Sequence, residues 1–469
     1  MENKKMILSR RDFLIEGTAA FAAFTILPRH VLGGLGTVAP SEKINIAIIG
    51  CGGQGRTNVR QLLQFNDVQI VAIADPNDNA DYSKFYYGGN SGRLPVKKEI
   101  EEHYQKINPK FTCSSYKDFR ELFDKEKNID AVLIATPDHW HAFATMAAIK
   151  RGKHIYCEKP LTHNIREARI IAKAAQEAKI ATQMGNHGHS DEGNRSMCEW
   201  IADGAIGKVS EIHSWSNSLG CVNHRGLPEG AIDTPGQLDW NLWLGPRKFR
   251  PYHPEYTPFS WRSWWAFGTG VVGDLAIHHF DPAYTALMPG HPTWIEGKGS
   301  WIDDEVASEN NHIEWFFEKT DTRPEMRFMW HDGKRSAPRP AELEPERRMS
   351  ENGVLVIGDK GKILGSGWSN SPRIIPETAM KAYKRPPKTL RRSPGHHREW
   401  LDAIKGGPEP SSSFTFGAVL TEFVHLGNLA IRVGKRIDWD GDNMKVKGHP
   451  DLDNYIQGEY PPEWDLNNI

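Results

Sequence analysis

Near-continuous apolar runs recur through the first part of the chain, at Ile44–Ile49, Val68–Ala74, 131–135, 153–157 and 181–184, each short and bounded by polar or turn residues. Between them the apolar positions switch to helical spacing. Val59, Leu62 and Leu63 follow the first run, and amphipathic stretches fill 139–150 and 165–178. Short buried strands alternating with helices predict a parallel sheet covered on both faces.

Past residue 185 the pattern changes. Segments 209–216, 293–301, 312–317 and 327–330 carry the aromatic and β-branched residues of strands, and 193–202, 273–287, 397–404 and 416–433 read as helices. Stretches 77–110, 221–259 and 333–350 are polar and loop-rich, with one helical piece at 99–106, and 436–469 reads as an irregular tail. The expected division is a terminal segment over 1–40, an α/β domain over 41–185, an α+β domain with a large, mostly antiparallel open sheet over 186–435, and the tail over 436–469.

Composition narrows the function classes. The 469 residues carry 58 Lys and Arg against 59 Asp and Glu, a balance that points to neither nucleic acid nor a membrane surface. No unbroken apolar run reaches the roughly 18 residues of a membrane span. Five scattered cysteines without CxxC spacing imply no disulfide framework and no zinc site. Five of the 16 tryptophans, Trp240, Trp243, Trp261, Trp264 and Trp265, crowd one segment, where one or two are candidates for stacking on sugar rings.

At the N-terminus, Lys4 and Lys5 precede Ser9-Arg10-Arg11-Asp12-Phe13-Leu14 and a modestly apolar stretch to Leu27. This resembles a twin-arginine export signal and predicts a periplasmic protein without a lipid anchor.

The first apolar run ends in Gly50-Cys51-Gly52-Gly53-Gln54-Gly55, a Gly-x-Gly-x-x-Gly between a strand and a helix. Gly50 permits the tight turn, Gly52 lets a phosphate approach the backbone, and Gly55 lets the helix pack on the sheet, so a dinucleotide pyrophosphate is expected on the helix N-terminus. Asp75 ends the second run, where an acid binds the ribose 2′-hydroxyl and repels a 2′-phosphate; NAD rather than NADP is expected. Gly50, Asp75, Thr136 and Lys159 all fall at strand C-terminal ends, where such sheets bind ligands.

Further motifs follow in a fixed order: Thr136-Pro137 with His141, then Glu158-Lys159-Pro160, then Gly204 to Val209, then Gly270 to His278. With the glycine turn, these resemble the Gfo/Idh/MocA oxidoreductase family, relatives of glucose–fructose oxidoreductase and inositol dehydrogenase, from about residue 43 to 435. The resemblance implies a Rossmann domain binding cofactor through Gly50, Gly52, Gly53, Gln54, Gly55, Asp75, Thr136, Pro137, His141, Glu158 and Lys159. It also implies a cis Lys159–Pro160 bond and a homo-oligomer.

Oxidising a secondary alcohol needs a base for the hydroxyl proton and a donor to the developing alkoxide. Lys159 suits the donor and His278 the base. Asp274, four residues earlier on the same expected helical face, is placed to hold the His278 ring or the sugar. His279 adjoins His278, and spacing favours His278. Asn186 and His189, in a segment that departs from the family's usual Gln-x-Arg-Phe, join Arg262, Trp264, His278 and His397 as expected substrate contacts. The spacing of His187 and His189 is open to a metal, but the resemblance calls for none. The expected activity is an NAD(P)-dependent oxidoreductase acting on a sugar or polyol. The alternatives are an NAD-dependent glycosidase or lyase working through transient sugar oxidation, against which the retained Glu-Lys-Pro counts, and a non-catalytic sugar binder. Export favours a cofactor that stays bound.

Overall fold

Six parallel strands build the first sheet of this computed structural model, which describes Ala39 and residues 42–466 apart from 231, 336 and 369. The expected export signal lies outside the described residues. The strands are β1 (Ile44–Ile49), β2 (Val68–Ala74), β3 (Ser114–Tyr116), β4 (Ala131–Ile134), β5 (His154–Cys157) and β6 (Thr182–Met184), in spatial order β3-β2-β1-β4-β5-β6. The order reverses beside β1, so a crevice opens at the C-terminal ends of β1 and β4, the switch point of a doubly wound sheet. Helix α1 (Gly53–Leu62) leaves that crevice directly from the glycine turn, and α2 (Asp138–Ile149) leaves it from Thr136-Pro137. Every residue of β4 is buried, as expected of a central strand covered on both faces.

The second sheet has nine strands and is antiparallel except where 326–332 pairs with 209–216. Its core face meets the helix Phe414–Val433 through Ile313, Trp315, Phe317 and Phe328. That helix is long and apolar enough to cross a membrane by composition, but most of it is buried in the protein. The strands Asn352–Gly358, Lys362–Ser366 and Arg373–Ile375, absent from the expected set, complete one side. The C-terminal stretch is less irregular than its composition suggests. Ile437–Asp440 and Lys445–Val446 extend the opposite edge, and Trp464 packs edge-on against Trp140 and Phe143.

The two sheets are interlocked. The helix His396–Ile404, far along the chain, returns to the first domain, where Trp400 and Leu401 join the core behind β1 and β2. Its Arg398 pairs with Asp67 at 2.9 Å. Arg169, on the helix Ile165–Ala178, binds Glu422 on the helix Phe414–Val433 through two 2.7 Å hydrogen bonds.

Candidate active site

A cavity of about 710 Å³ runs along the C-terminal edge of the first sheet and is walled on its far side by the second domain. Its floor is the glycine turn. Gly50 has a φ of +91°, and a Cβ there would stand 2.5 Å from the Ala135 carbonyl oxygen; at Gly55 it would stand 2.0 Å from the Gly50 oxygen. Only glycine fits at either place, because the obstruction is backbone. At the neighbouring strand end the Thr136 hydroxyl is buried without a partner.

Asp75 closes one end. Its two oxygens accept from the Cys51 amide at 2.6 Å and the Asn77 amide at 2.7 Å, and burial raises its pKa to about 6. An amide cradle, an orphan hydroxyl and an acid at the end of β2 suit a dinucleotide's pyrophosphate and ribose. A short insertion overlies the cradle. Its ribbon pairs Ala80–Asp81 with Asn90–Ser91 and carries Tyr82, Phe85, Tyr86 and Tyr87. The Tyr82 hydroxyl stands over the turn, 2.7 Å from where a Cβ on Gly52 would be, and donates to the Pro258 carbonyl of the second domain at 3.4 Å. Phe85 stacks on Phe259 at 4.4 Å.

At the other end, the Lys159 ammonium donates to the Asp274 carboxylate and, at 3.0 Å, to the Asp274 carbonyl. The Lys159–Pro160 bond is cis. Burial draws the ammonium down, but the carboxylate outweighs it and the Lys159 pKa ends raised. Burial also opposes the charge on Asp274, yet Lys159 and Arg262 hold that carboxyl at about 2. The two side chains keep 16% and 29% of their surface open, so solvent in the cavity softens the pair. Arg262 lies 3.9 Å from Asp274 and packs its guanidinium on the Phe259 and Trp261 rings.

His278 also lines the cavity. Its Nδ1 is buried without a partner, and burial, reinforced by Lys159 and His279, drives its pKa well below the usual histidine value. His279 faces away, its Nδ1 3.1 Å from the Trp215 carbonyl. The Asp274 carboxylate, expected to hold the His278 ring or the sugar, is bound by Lys159. Residues Val272–Ala276 around it wind as a π-helix after Gly270 at φ +64°.

His141 and Glu158 line the cavity as well, while the remaining expected contacts lie elsewhere. The His141 nitrogens face the carbonyls of Pro160 at 2.7 Å and Thr136 at 3.0 Å, so the ring braces two strand ends beneath the cavity. Glu158 accepts from Asn58 at 2.7 Å and Gln54 at 3.2 Å. Burial opposes its charge, but those bonds and His187 hold it at about 2. Asn186 and His189 are both buried against Asp281, at 2.8 and 2.7 Å, outside the cavity. His397 stacks on Tyr156 at 4.9 Å, and Trp264 is fully buried with its indole donating to the Glu255 carbonyl. Of the crowded tryptophans, Trp243 and Trp261 reach the cavity from a core cluster that also holds Trp240 and Trp264.

Among the lining residues that the sequence reading did not assign to the site are Asp138, His187 and Trp368. Asp138, in the first turn of α2, accepts from the Thr269 hydroxyl at 2.8 Å, and burial lifts its pKa to about 7. His187 stands 3.6 Å from Glu158. Trp368 lies in a Gly- and Ser-rich turn with its ring 5.9 Å from His278. Asp138 had a signal in its place in the first turn beside Thr136-Pro137, and His187 in its place between Asn186 and His189.

With this geometry, two family models match: an oxidoreductase family NAD-binding Rossmann fold over residues 95–186, and the oxidoreductase family C-terminal alpha/beta domain over 208–466. The chain is similar to a levoglucosan dehydrogenase of Pseudarthrobacter phenanthrenivorans, 28% identical over 43% of this chain and 47% of that one. It is also similar to an alpha-N-acetylgalactosaminidase of Shewanella oneidensis, 26% identical over 41% and 40%. The match thus spans less than half the length of either relative. Among solved structures, the WlbA dehydrogenase from Bordetella pertussis, in complex with NADH and UDP-GlcNAcA, superposes with a TM-score of 0.57 at 14% identity, over 85% of this chain and 99% of that one. The likeness to WlbA is one of fold.

Proposed function

Because this chain belongs to the Gfo/Idh/MocA oxidoreductase family, we propose that it oxidises a secondary alcohol of a sugar or polyol with NAD that it holds through successive turnovers. The observation carrying this reading is the division of charge between two neighbours. Lys159 is kept cationic by Asp274, while His278 is kept neutral by burial. An ammonium that stays protonated is a hydrogen-bond donor to the reacting oxygen, and a neutral imidazole is the base. The nicotinamide supplies a hydride acceptor for the carbinol carbon. His278 takes the hydroxyl proton as the carbonyl forms, and Lys159 steadies the negative charge that develops on oxygen. Asp274 holds Lys159 in place, and Arg262 lies against the same carboxylate. Asp75, at the far end of the cavity, favours a free ribose 2′-hydroxyl over a 2′-phosphate, and so NAD over NADP. The twin-arginine-like start of the chain supports delivery of the loaded protein to the periplasm, where a resident cofactor is an advantage.

A redox-neutral glycosidase or lyase is the second reading, supported by the alpha-N-acetylgalactosaminidase relative matching almost as well as the levoglucosan dehydrogenase. One experiment separates the two. The protein purified without added nucleotide, then dialysed, is scanned for nicotinamide absorbance and incubated with free sugars and aryl glycosides. Lasting reduction by free sugars is expected. Aglycone release without net reduction would replace the oxidoreductase by the glycosidase, and loss of the nucleotide on dialysis would remove the resident cofactor.

A further inference from the structure

Among the described residues, eleven large hydrophobic side chains are exposed, and three of them, Tyr86, Leu219 and Trp368, line this one cavity at 76%, 49% and 41% exposure. Scattered exposed apolar side chains are ordinary, but a group gathered at the mouth of one cleft marks a binding surface. Their position fixes which end of the cleft they serve. The Trp368 ring lies 5.9 Å from His278 and is backed by the Gly188 backbone, where a Cβ would come within 3.5 Å of the indole. Tyr86 packs edge-on against Phe259 at 5.7 Å, the ring on which the Arg262 guanidinium lies at 4.3 Å. Both rings therefore belong to the reacting end, remote from Asp75 and the ribose it suits. They come from opposite walls: Tyr86 from the insertion of the first domain, and Trp368 from the turn after strand Lys362–Ser366 of the second.

We infer that Tyr86, Trp368 and Leu219 form a second saccharide subsite outside the reacting ring, so that the substrate is a glycoside or disaccharide rather than a free monosaccharide. This rests on the sugar oxidoreductase reading for the reacting ring. The C–H faces of a pyranose are apolar while its rim carries hydroxyls. Aromatic faces at a wet cavity mouth suit that surface, where a wholly apolar ligand would need an enclosed pocket. Such a subsite also places glycoside specificity on residues that take no part in proton transfer.

Calorimetric titration of the nucleotide-loaded protein with two matched pairs, glucose against cellobiose and galactose against lactose, tests the inference. At least one disaccharide is expected to bind about tenfold more tightly than its monosaccharide, the scale of one aromatic contact. Trp368→Ala and, separately, Tyr86→Ala should erase that preference. Tyr86 is exposed enough that its replacement leaves folding unthreatened. Equal affinity within both pairs, or loss of both sugars to the same degree in the variants, overturns the subsite. So does a change of oligomeric mass on Trp368→Ala in light scattering, which would give these rings to a second copy of the chain. If the disaccharide binds with the expected preference but leaves the nicotinamide unreduced, the oxidoreductase reading fails and the subsite stands.

Discussion

At His278 and Asp138 the same force, burial, produces opposite working states. The imidazole loses its proton and the carboxyl keeps one, because each sheds charge to avoid desolvation. His278 is therefore unprotonated across the neutral range, the state the proposed base needs. His278→Ala should leave nicotinamide binding intact, measured by fluorescence titration, and lower kcat by about 10²–10⁴; near-normal turnover would remove the residue from the mechanism. Asp138 gives a stability prediction. Its carboxyl is protonated below about 7 in the fold, but only below 3.8 when unfolded, so the native state loses stability as pH rises between those values. Asp138→Asn can still accept from Thr269 and has nothing to ionise. Its stability relative to the parent should grow from pH 4 to 7 and level off above, by about 2–4 kcal/mol. Urea midpoints at pH 5 and 8 check this, and an advantage that shrinks with pH would contradict it. Lys159, Asp274 and His278 were legible as residue types in ordered motifs. Their pairing was not, since Lys159 and Asp274 lie 115 positions apart and meet only where the two domains face each other. Trp368 was invisible because a lone aromatic in a turn carries no periodic signal.

The glycine turn is the element most fully written in the sequence, because its constraint is backbone against backbone. Gly50→Ala should cost at least tenfold in nicotinamide affinity, since its Cβ meets the Ala135 carbonyl, which has no rotamer to escape into. Equilibrium dialysis measures the loss, and unchanged affinity would mean the turn can be rebuilt. The buried runs of the parallel sheet were equally legible, each strand being apolar on both faces. The hairpin of Asn352–Gly358 and Lys362–Ser366 was not. Its apolar residues sit among glycines and lysines in stretches too short to separate from loop, and the hairpin gains its partner only from Val209–Ser216. Asn186, His189 and His397 misled for a related reason. A polar residue near a strand end reads as a ligand contact, yet here each meets a buried partner delivered from elsewhere in the chain.

Across the whole molecule, the second domain completes the first. Helix His396–Ile404 fills the first core, the Arg169–Glu422 pair ties helix to helix, and the cavity owes one wall to each sheet. Long-range returns of this kind leave no local mark, so two sheets could be read from the sequence but not their interlocking. One contact across the halves bears on time rather than affinity. Because the Tyr82 hydroxyl stands over Gly52 and reaches Pro258, a nucleotide is expected to wait for the insertion to lift before its pyrophosphate can settle. The entry rate, followed by stopped-flow fluorescence, should reach a ceiling as NAD concentration rises, and Tyr82→Phe should raise that ceiling; a rate that stays proportional to concentration would show the latch is not limiting. A step that gates entry also gates escape, so the rate at which bound nucleotide is lost on dilution is expected to rise in Tyr82→Phe as well.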